Sequence, residues 1–323
     1  PKKSVIASPE ALPAADDSEP VWLGWLVAAG VAIVALAIYV FGLAPGITWA
    51  HQGADGGELL TAAVTNGVPH PPGYPMFIPL LQAWLWITKW LLPTADLAWR
   101  GNLFSALAAA ASVFVTVRTA GHLAREYESR WLWAALAGFA WATAPLFWSQ
   151  AVLTEVYAMH GLLVALLGWA VLVHPRQMWY VVTPIALGVA HHLTLVLLIP
   201  AALYMLWIQS APRSLVRPLA WIAGAVAVGA LSYLRIPWAA AQVAPVNWGF
   251  ADNPAGFWWL ISGAAYRGYL GASTAGDVLS RLAAWASTIV DQYTPVGLVL
   301  ALIGLAEWDR RAPTLRNFAL LWI

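Results

Sequence analysis

Between Trp49 and Pro75 the chain reads WAHQGADGGELLTAAVTNGVPHPPGYP, placing Asp55, Glu58, His51 and His70 together with no lysine or arginine among them. Asp55 and Glu58 are three residues apart. If GGELLTAAVTNG is a short helix, both carboxylates lie near one face and can reach the same ligand. A carboxylate so placed can serve as a general base or orient an acceptor hydroxyl. The same two acids also suit a plain helix amino terminus, where they favour the macrodipole. The following His70-Pro71-Pro72-Gly73-Tyr74-Pro75 is a rigid turn, because its prolines fix φ while Gly73 supplies freedom. From that turn His70, with Tyr74, can contact a phosphate or sugar, or the turn can be a stiff connector alone.

Further groups of the same kind recur along the chain. Arg100 and Asn102 open an apolar run, where an arginine can pair a diphosphate or snorkel to the interface. Glu155-Val156-Tyr157 opens another, with His160 one turn on; an acid there again suits either chemistry or the helix dipole. His191 and His192 interrupt a third. Adjacent residues on a helix point about 100° apart, so this pair makes poor joint metal ligands, and no HxxxH or HExxH lies nearby. No metal site is expected on these grounds; the cofactor stays unknown, a divalent cation being compatible with the acids but demanded by nothing. Arg235, Asn247, Trp248, Tyr266 and Arg267 add planar donors and aromatic faces that suit sugars and phosphates as well as a lipid interface.

These groups must be held by membrane helices. Of 323 residues 61% are hydrophobic and only 10% charged, against about 25% charged in soluble domains. Several apolar runs reach the roughly 20 residues a spanning helix needs, so the fold class is an all-α polytopic membrane protein. A net charge of +1 with no basic stripe argues against a nucleic-acid partner, and the lack of cysteine excludes disulfides and thiolate metal sites. The 22 tryptophans suit interfacial anchoring as well as packing. Residues 1–20, polar and rich in Pro and Ala with no cleavable signal pattern, read as a disordered cytoplasmic tail. Because the chain stops within the apolar LRNFALLWI, the domain at 21–323 is expected to be the incomplete membrane part of a longer protein. Spans are expected at Val21–Ala44, Ala98–Arg118, Trp131–Trp148, Glu155–Val173, Pro218–Trp238 and Ser287–Glu307, with another opening near Leu315.

Two stretches, Pro75–Pro93 and Met178–Gln209, are ambiguous, and positive charge arbitrates. If Pro75–Pro93 spans and Met178–Gln209 is one helix, nine basic residues fall inside and seven outside. If Pro75–Pro93 lies in the interface and Met178–Gln209 breaks at the histidine pair, the split is eleven to five. The second topology is adopted. It puts the amino terminus in the cytoplasm and the acidic loop, Glu155, His191-His192, Arg235 and the 239–286 loop together on the extracytoplasmic side. The first extracytoplasmic loop, with an interfacial helix, then covers 45–97.

GADGGELLTAA…GVPHPPGYP, the R-x-N-L-x-S at Arg100–Ser105, FWSQAVLTEVYAMH, GVAHHLT and YLRIPWA with the following NWG resemble a bacterial family of uncharacterised multi-spanning proteins. That family is related to the eukaryotic transmembrane O-mannosyltransferases, within the GT-C glycosyltransferase superfamily. The resemblance covers about Leu43 to Tyr269. It implies a GT-C-like bundle with an extracytoplasmic loop and interfacial helices, set in a bacterial inner membrane. It also implies an enzyme that transfers a sugar from a polyprenyl-phosphate donor, a lipid-linked sugar, to an acceptor whose identity is unknown. By position Asp55 matches the family's catalytic acid, with Glu58 in the same motif. Glu155 stands at the second acidic position, where many superfamily members carry Asp. Arg100, Arg235 and Arg267 are the expected partners of the leaving phosphate. The alternative is a non-catalytic accessory subunit of a larger membrane complex.

Overall fold

The computed structural model describes residues 20–209, 214–270 and 274–322; apart from Pro20, the tail expected at 1–20 lies outside the described residues. Among them the only β pairing is an isolated bridge between Val68 and Asn247, and the rest of the regular structure is helical. The chain runs through α1 (Val21–Gly42), α2 (Gly56–Thr65), α3 (Phe77–Leu91), α4 (Leu97–Leu123) and α5 (Arg130–Thr143). It continues through α6 (Pro145–Ala151), α7 (Tyr157–Val173), α8 (Met178–His191), α9 (Ile199–Gln209) and α10 (Val216–Leu231). The last are α11 (Arg235–Ala240), α12 (Pro254–Ile261), α13 (Arg267–Leu270), α14 (Ala275–Arg311) and α15 (Pro313–Trp322). α1, α4, the continuous α10–α11 segment and α14 are long and apolar enough to cross a membrane, and the bent α5–α6 pair makes a fifth candidate. The protein is therefore an all-α, multi-pass membrane protein.

Local sequence explains where the elements depart from simple spans. The run expected as one span at Trp131–Trp148 bends by 67° between α5 and α6, because Pro145 cannot continue the hydrogen-bond ladder of α5. The break expected inside Met178–Gln209 occurs at His192, whose backbone is extended (φ −149°, ψ 119°), and a 3-10 stretch, Leu193–Leu198, leads into α9. α14 begins at Ala275, before the expected Ser287, because Thr274 and Asp277 form a capping box that starts the helix there. α3 extends over only about 22 Å, short of the roughly 30 Å hydrocarbon core. It buries Phe77, Ile78, Leu81 and Leu85 on one face and exposes Trp86, Ile87, Trp90 and Leu91 on the other. This is the pattern of a helix with one wet or lipid-facing side.

α4 is the central post. Its small residues Ala106, Ala109 and Val113 let α1 and α5 approach closely, and the Tyr39 hydroxyl of α1 donates to the Ala142 carbonyl of α5 at 3.0 Å. A second core joins α7, α8, α9, α10 and α15 through Leu167, Ile185, Met205, Ile222 and Phe318. A third, with Leu59, Leu60, Tyr74, Phe77, Leu81 and Val156, sits beneath the acidic loop. α10 reaches this end of the molecule by packing tightly on α8: a Cβ at Gly229 would lie 2.5 Å from the Ala186 carbonyl oxygen. Backbone cannot yield as a side chain can, so Gly229→Val is expected to cost about 1–3 kcal/mol. Thermal unfolding in detergent should show a clear fall in Tm for it, and none for Gly30→Val, where a Cβ meets nothing within 4 Å.

Candidate active site

The site is assembled on α4. Asn102 donates from Nδ2 to the Ala44 carbonyl at 2.8 Å and accepts at Oδ1 from the Thr154 hydroxyl at 2.8 Å. It thus ties the end of α1 to the turn before α7. One turn along, the Ser105 hydroxyl contacts both the amide and the carbonyl of Glu155 at 3.2 Å. Gly101 leaves room for this arrangement, since a Cβ there would meet Leu60 and the Thr154 hydroxyl at 2.6 Å. The first turn of α2 then lies against Thr154, with the Gly56 Cβ position 3.2 Å from the Thr154 carbonyl.

Glu155 is 3% exposed. Its carboxylate takes backbone hydrogen bonds from Val156 and from Asp55, while Oε2 has no partner. Burial, and then the charge of Asp55, push its pKa up to about 7, against the pull of His70 and the two amides. The contact with Asp55 constrains the topology. Asp55 and Glu155 thus lie at the same end of the bundle.

His70 links the two acids of the loop. Its amide donates to Glu58 Oε1 at 2.7 Å and Nδ1 lies 3.2 Å from Glu58 Oε2. Nε2 is 2.9 Å from the Tyr74 hydroxyl and 3.6 Å from Asp55 Oδ2. The turn that aims it needs Gly73, at φ 87°, where a Cβ would also press on Ile236 at 2.9 Å. Burial lowers the His70 pKa, but the hydrogen bond to Glu58 and the charges of Asp55, Glu58 and Glu155 outweigh it and hold the group above the ordinary imidazole range. One ligand atom each from Asp55, Glu58 and His70 lie within 4.8 Å of one another, so these are the residues that could hold a divalent cation. Both His70 nitrogens already have protein partners, and hydrogen bonds satisfy the imidazole without an ion.

Aromatic rings wall this cluster. Trp248 stands 6.2 Å from His70, and His192 stands 5.9 Å from Tyr74, 6.0 Å from Tyr157 and 5.0 Å from His160, between ring centroids. Trp248 is carried in by pairing of its amide with the Val68 carbonyl at 3.0 Å, and Asn247 is held by the Ala240 carbonyl at 2.9 Å. Tyr266 lies within electrostatic reach of Tyr74 and Tyr157. His191 is fully buried and its Nε2 meets the Val156 carbonyl at 2.9 Å, an inter-helix hydrogen bond and not a surface for ligands.

The three arginines expected to face a phosphate lie elsewhere. Arg100 is turned inward and donates from Nη1 to the Leu85 carbonyl, midway along α3, at 3.1 Å. Arg235 donates to Asn66 Oδ1 at 2.6 Å at the carboxyl end of α2, roughly 15 Å along that helix from Asp55. Its Nη1 is buried with no acceptor among the described residues. Arg267 meets the Ser262 hydroxyl at 2.9 Å on an exposed surface. Ser105, Thr154 and Asn66 are site supports that the reading from sequence did not single out. Asn66-Gly67 is a legible helix C-cap signal, but nothing local announces its arginine partner.

Residues 55–215 match the family described as Protein O-mannosyl-transferase TMEM260 N-terminal domain. Protein O-mannosyl-transferase TMEM260 of Mus musculus is 34% identical over 146 residues, covering 45% of this chain and 19% of the mouse protein. Protein O-mannosyl-transferase tmem260 of Dictyostelium discoideum is 30% identical over 125 residues, covering 36% and 13%. The chain is related to these O-mannosyl-transferases. It spans a fifth or less of the length of these curated relatives. The matched segment carries Asp55, Glu58, His70, Tyr74 and Glu155, the whole charged cluster, and ends before Arg235. No solved structure matches the chain.

The charge arrangement has a thermodynamic signature. Glu155 titrates near 7 when folded and near 4.5 as a free carboxyl, so the folded chain binds the extra proton between these pH values. Stability therefore falls as pH rises through that window, by about 3 kcal/mol at most. His70 extends the same slope, since its contribution is complete below the free imidazole value and is lost as pH passes its higher folded value. Glu155→Gln is expected to flatten the fall in Tm between pH 5 and 7, measured by unfolding in detergent across that range.

Proposed function

We propose that this chain forms the catalytic membrane part of a glycosyltransferase of GT-C type. It transfers a sugar, by its relatives' example a mannose, from a polyprenyl-phosphate donor to a hydroxyl of an extracytoplasmic acceptor. The observation that carries this reading is the meeting of Asp55 and Glu155 at one end of the bundle, with Asp55 left 37% exposed at the open edge of a buried charged cluster. An acid that is both anchored and accessible is what a general base requires. The positive-inside count supports the extracytoplasmic side for this end.

In the proposed reaction Asp55 takes the proton of the acceptor hydroxyl as its oxygen bonds to the anomeric carbon. The bond from that carbon to the phosphate oxygen breaks, and the polyprenyl phosphate leaves with the electron pair. A single displacement inverts the anomeric centre. Trp248, Tyr157, Tyr266 and His192 offer faces and edges for the sugar ring. Arg235 and Arg267, once released from Asn66 and the Ser262 hydroxyl, are the cations proposed for the phosphate of a donor lying across the mouth of the site. An apolar cavity of about 530 Å³ lined along α7 from Gly161 to Leu172, with Trp141, Trp308 and Phe318, begins one residue past His160 and would take a stretch of the prenyl chain.

Asp55→Asn should lower sugar release from a radiolabelled polyprenyl-phosphate mannose by roughly 10²–10⁴, in membranes containing the full-length protein, with Tm unchanged. Retained turnover would remove Asp55 as the base.

A further inference from the structure

The break after α8 holds a short hydrogen-bonded chain of three side chains. His192 Nδ1 accepts from the Thr194 amide at 3.4 Å and lies 2.7 Å from the Thr194 hydroxyl. That hydroxyl lies 3.3 Å from His160 Nε2 on α7. A backbone N–H can only donate, so His192 Nδ1 is an acceptor and the proton of the ring sits on Nε2. The Thr194 hydroxyl has one proton. Given to the shorter contact with His192, it leaves the oxygen to accept from His160 Nε2–H. The chain of donors thus runs from His160 through Thr194 and ends on His192 Nε2–H. That atom has no hydrogen-bond partner among the described residues and is not enclosed. We infer that His192 Nε2–H binds a phosphate oxygen of the lipid-phosphate donor, and that Thr194 is the positioning residue that fixes its tautomer. This rests on the polyprenyl-phosphate reading. It supplies a donor with no protein partner to give up, beside two arginines that must first leave Asn66 and Ser262.

Position and charge both favour a phosphate here. On one side the His192 ring stands 5.9 Å from Tyr74, whose hydroxyl meets His70 in the acidic cluster. On the other it stands 5.0 Å from His160, and the apolar cavity begins at the next residue, Gly161. A donor with its sugar at Asp55 and its chain in that cavity would carry its phosphate between the two. The charged group that acts on His192 is His70, and none of the three carboxylates does, so an anion at this point meets no acid. A hydrogen bond to an ionised acceptor is roughly twice as strong as a neutral one. The hydroxyl that feeds Nδ1 also polarises the ring toward donation from Nε2. A neutral imidazole does this without placing another charge beside apolar helices.

The test measures binding of a polyprenyl phosphate without its sugar to the full-length protein in lipid nanodiscs, alongside binding of the mannosylated lipid. His192→Phe keeps a ring and removes the donor. It should weaken binding of both lipids about tenfold, the size of one hydrogen bond to a charged group. Thr194→Val keeps the side-chain shape and removes the hydroxyl, and should weaken both about threefold. Thr194→Ser, which loses the methyl group and keeps the hydroxyl, should restore native affinity. A threonine needed only for its shape would give the opposite order. Thr194→Val carries the test if His192→Phe fails to fold. Native affinity in the folded variants overturns the inference and leaves the donor reading standing. So does a loss confined to the mannosylated lipid, which would put His192 on the sugar. A native chain that binds neither lipid overturns the donor reading, and the inference with it.

Discussion

A buried carboxylate held against backbone is the constraint around which this end of the molecule is organised. Glu155 makes no ion pair with a lysine or arginine among the described residues, and the charge of His70 acts on it only weakly; it is lodged under α2 and bonded to the amides of Val156 and Asp55. Taking such a group out of water is costly unless it is hydrogen-bonded or protonated. The surrounding structure does both: two amides converge on it, and its pKa rises into the neutral range. The scaffold that makes this feasible is α4, whose Asn102 and Ser105 fasten the turn before α7 and whose Gly101 lets Leu60 and Thr154 close over it.

From that anchor the rest of the site follows in steps. Fixing the amide of Asp55 fixes the start of α2. The start of α2 fixes Glu58 one turn on, and Glu58 takes His70 by its amide and ring. The rigid proline turn then sets Tyr74, and Tyr74 stands beside His192, which is available because α8 has broken one residue earlier. Four segments far apart in sequence thus meet through a small number of short polar contacts. The apolar helices around them contribute placement, and the charged cluster gathers the side chains able to do acid–base chemistry. The relation to O-mannosyl-transferases agrees with this division, since the matched segment begins at Asp55 and includes every charged member of the cluster.

The arginines show how far residue type can be trusted. Arg100 opens a helix beside the acidic loop, yet its guanidinium is spent on the Leu85 carbonyl. A carbonyl has two lone pairs, so a mid-helix oxygen such as that of Leu85 can accept from a guanidinium as well as from its own helix. Arg235 is similarly drawn to Asn66 at the carboxyl end of α2. Proximity in sequence to the acidic loop says little about which way a long side chain turns.

What the sequence determined by itself was whatever depends on composition and local pattern. Hydropathy and length establish an all-α membrane chain, the histidine pair the break after α8, and the acidic loop with its proline turn the place where side chains able to do chemistry are concentrated, whereas the bend at Pro145 emerged only in the structure. The charge count also favoured an α3 that does not cross. Only the tertiary structure decided that Glu155 is buried under the Asp55 backbone, that His70 is enclosed between Asp55 and Glu58, that His191 serves the fold while His192 faces the cluster, and that Arg100 and Arg235 are taken up by Leu85 and Asn66. The physical reason is that periodicity and composition encode which face of an element is apolar, whereas the partner of a buried polar group is set by segments from elsewhere in the chain packing around it. No local pattern in the sequence carries that information.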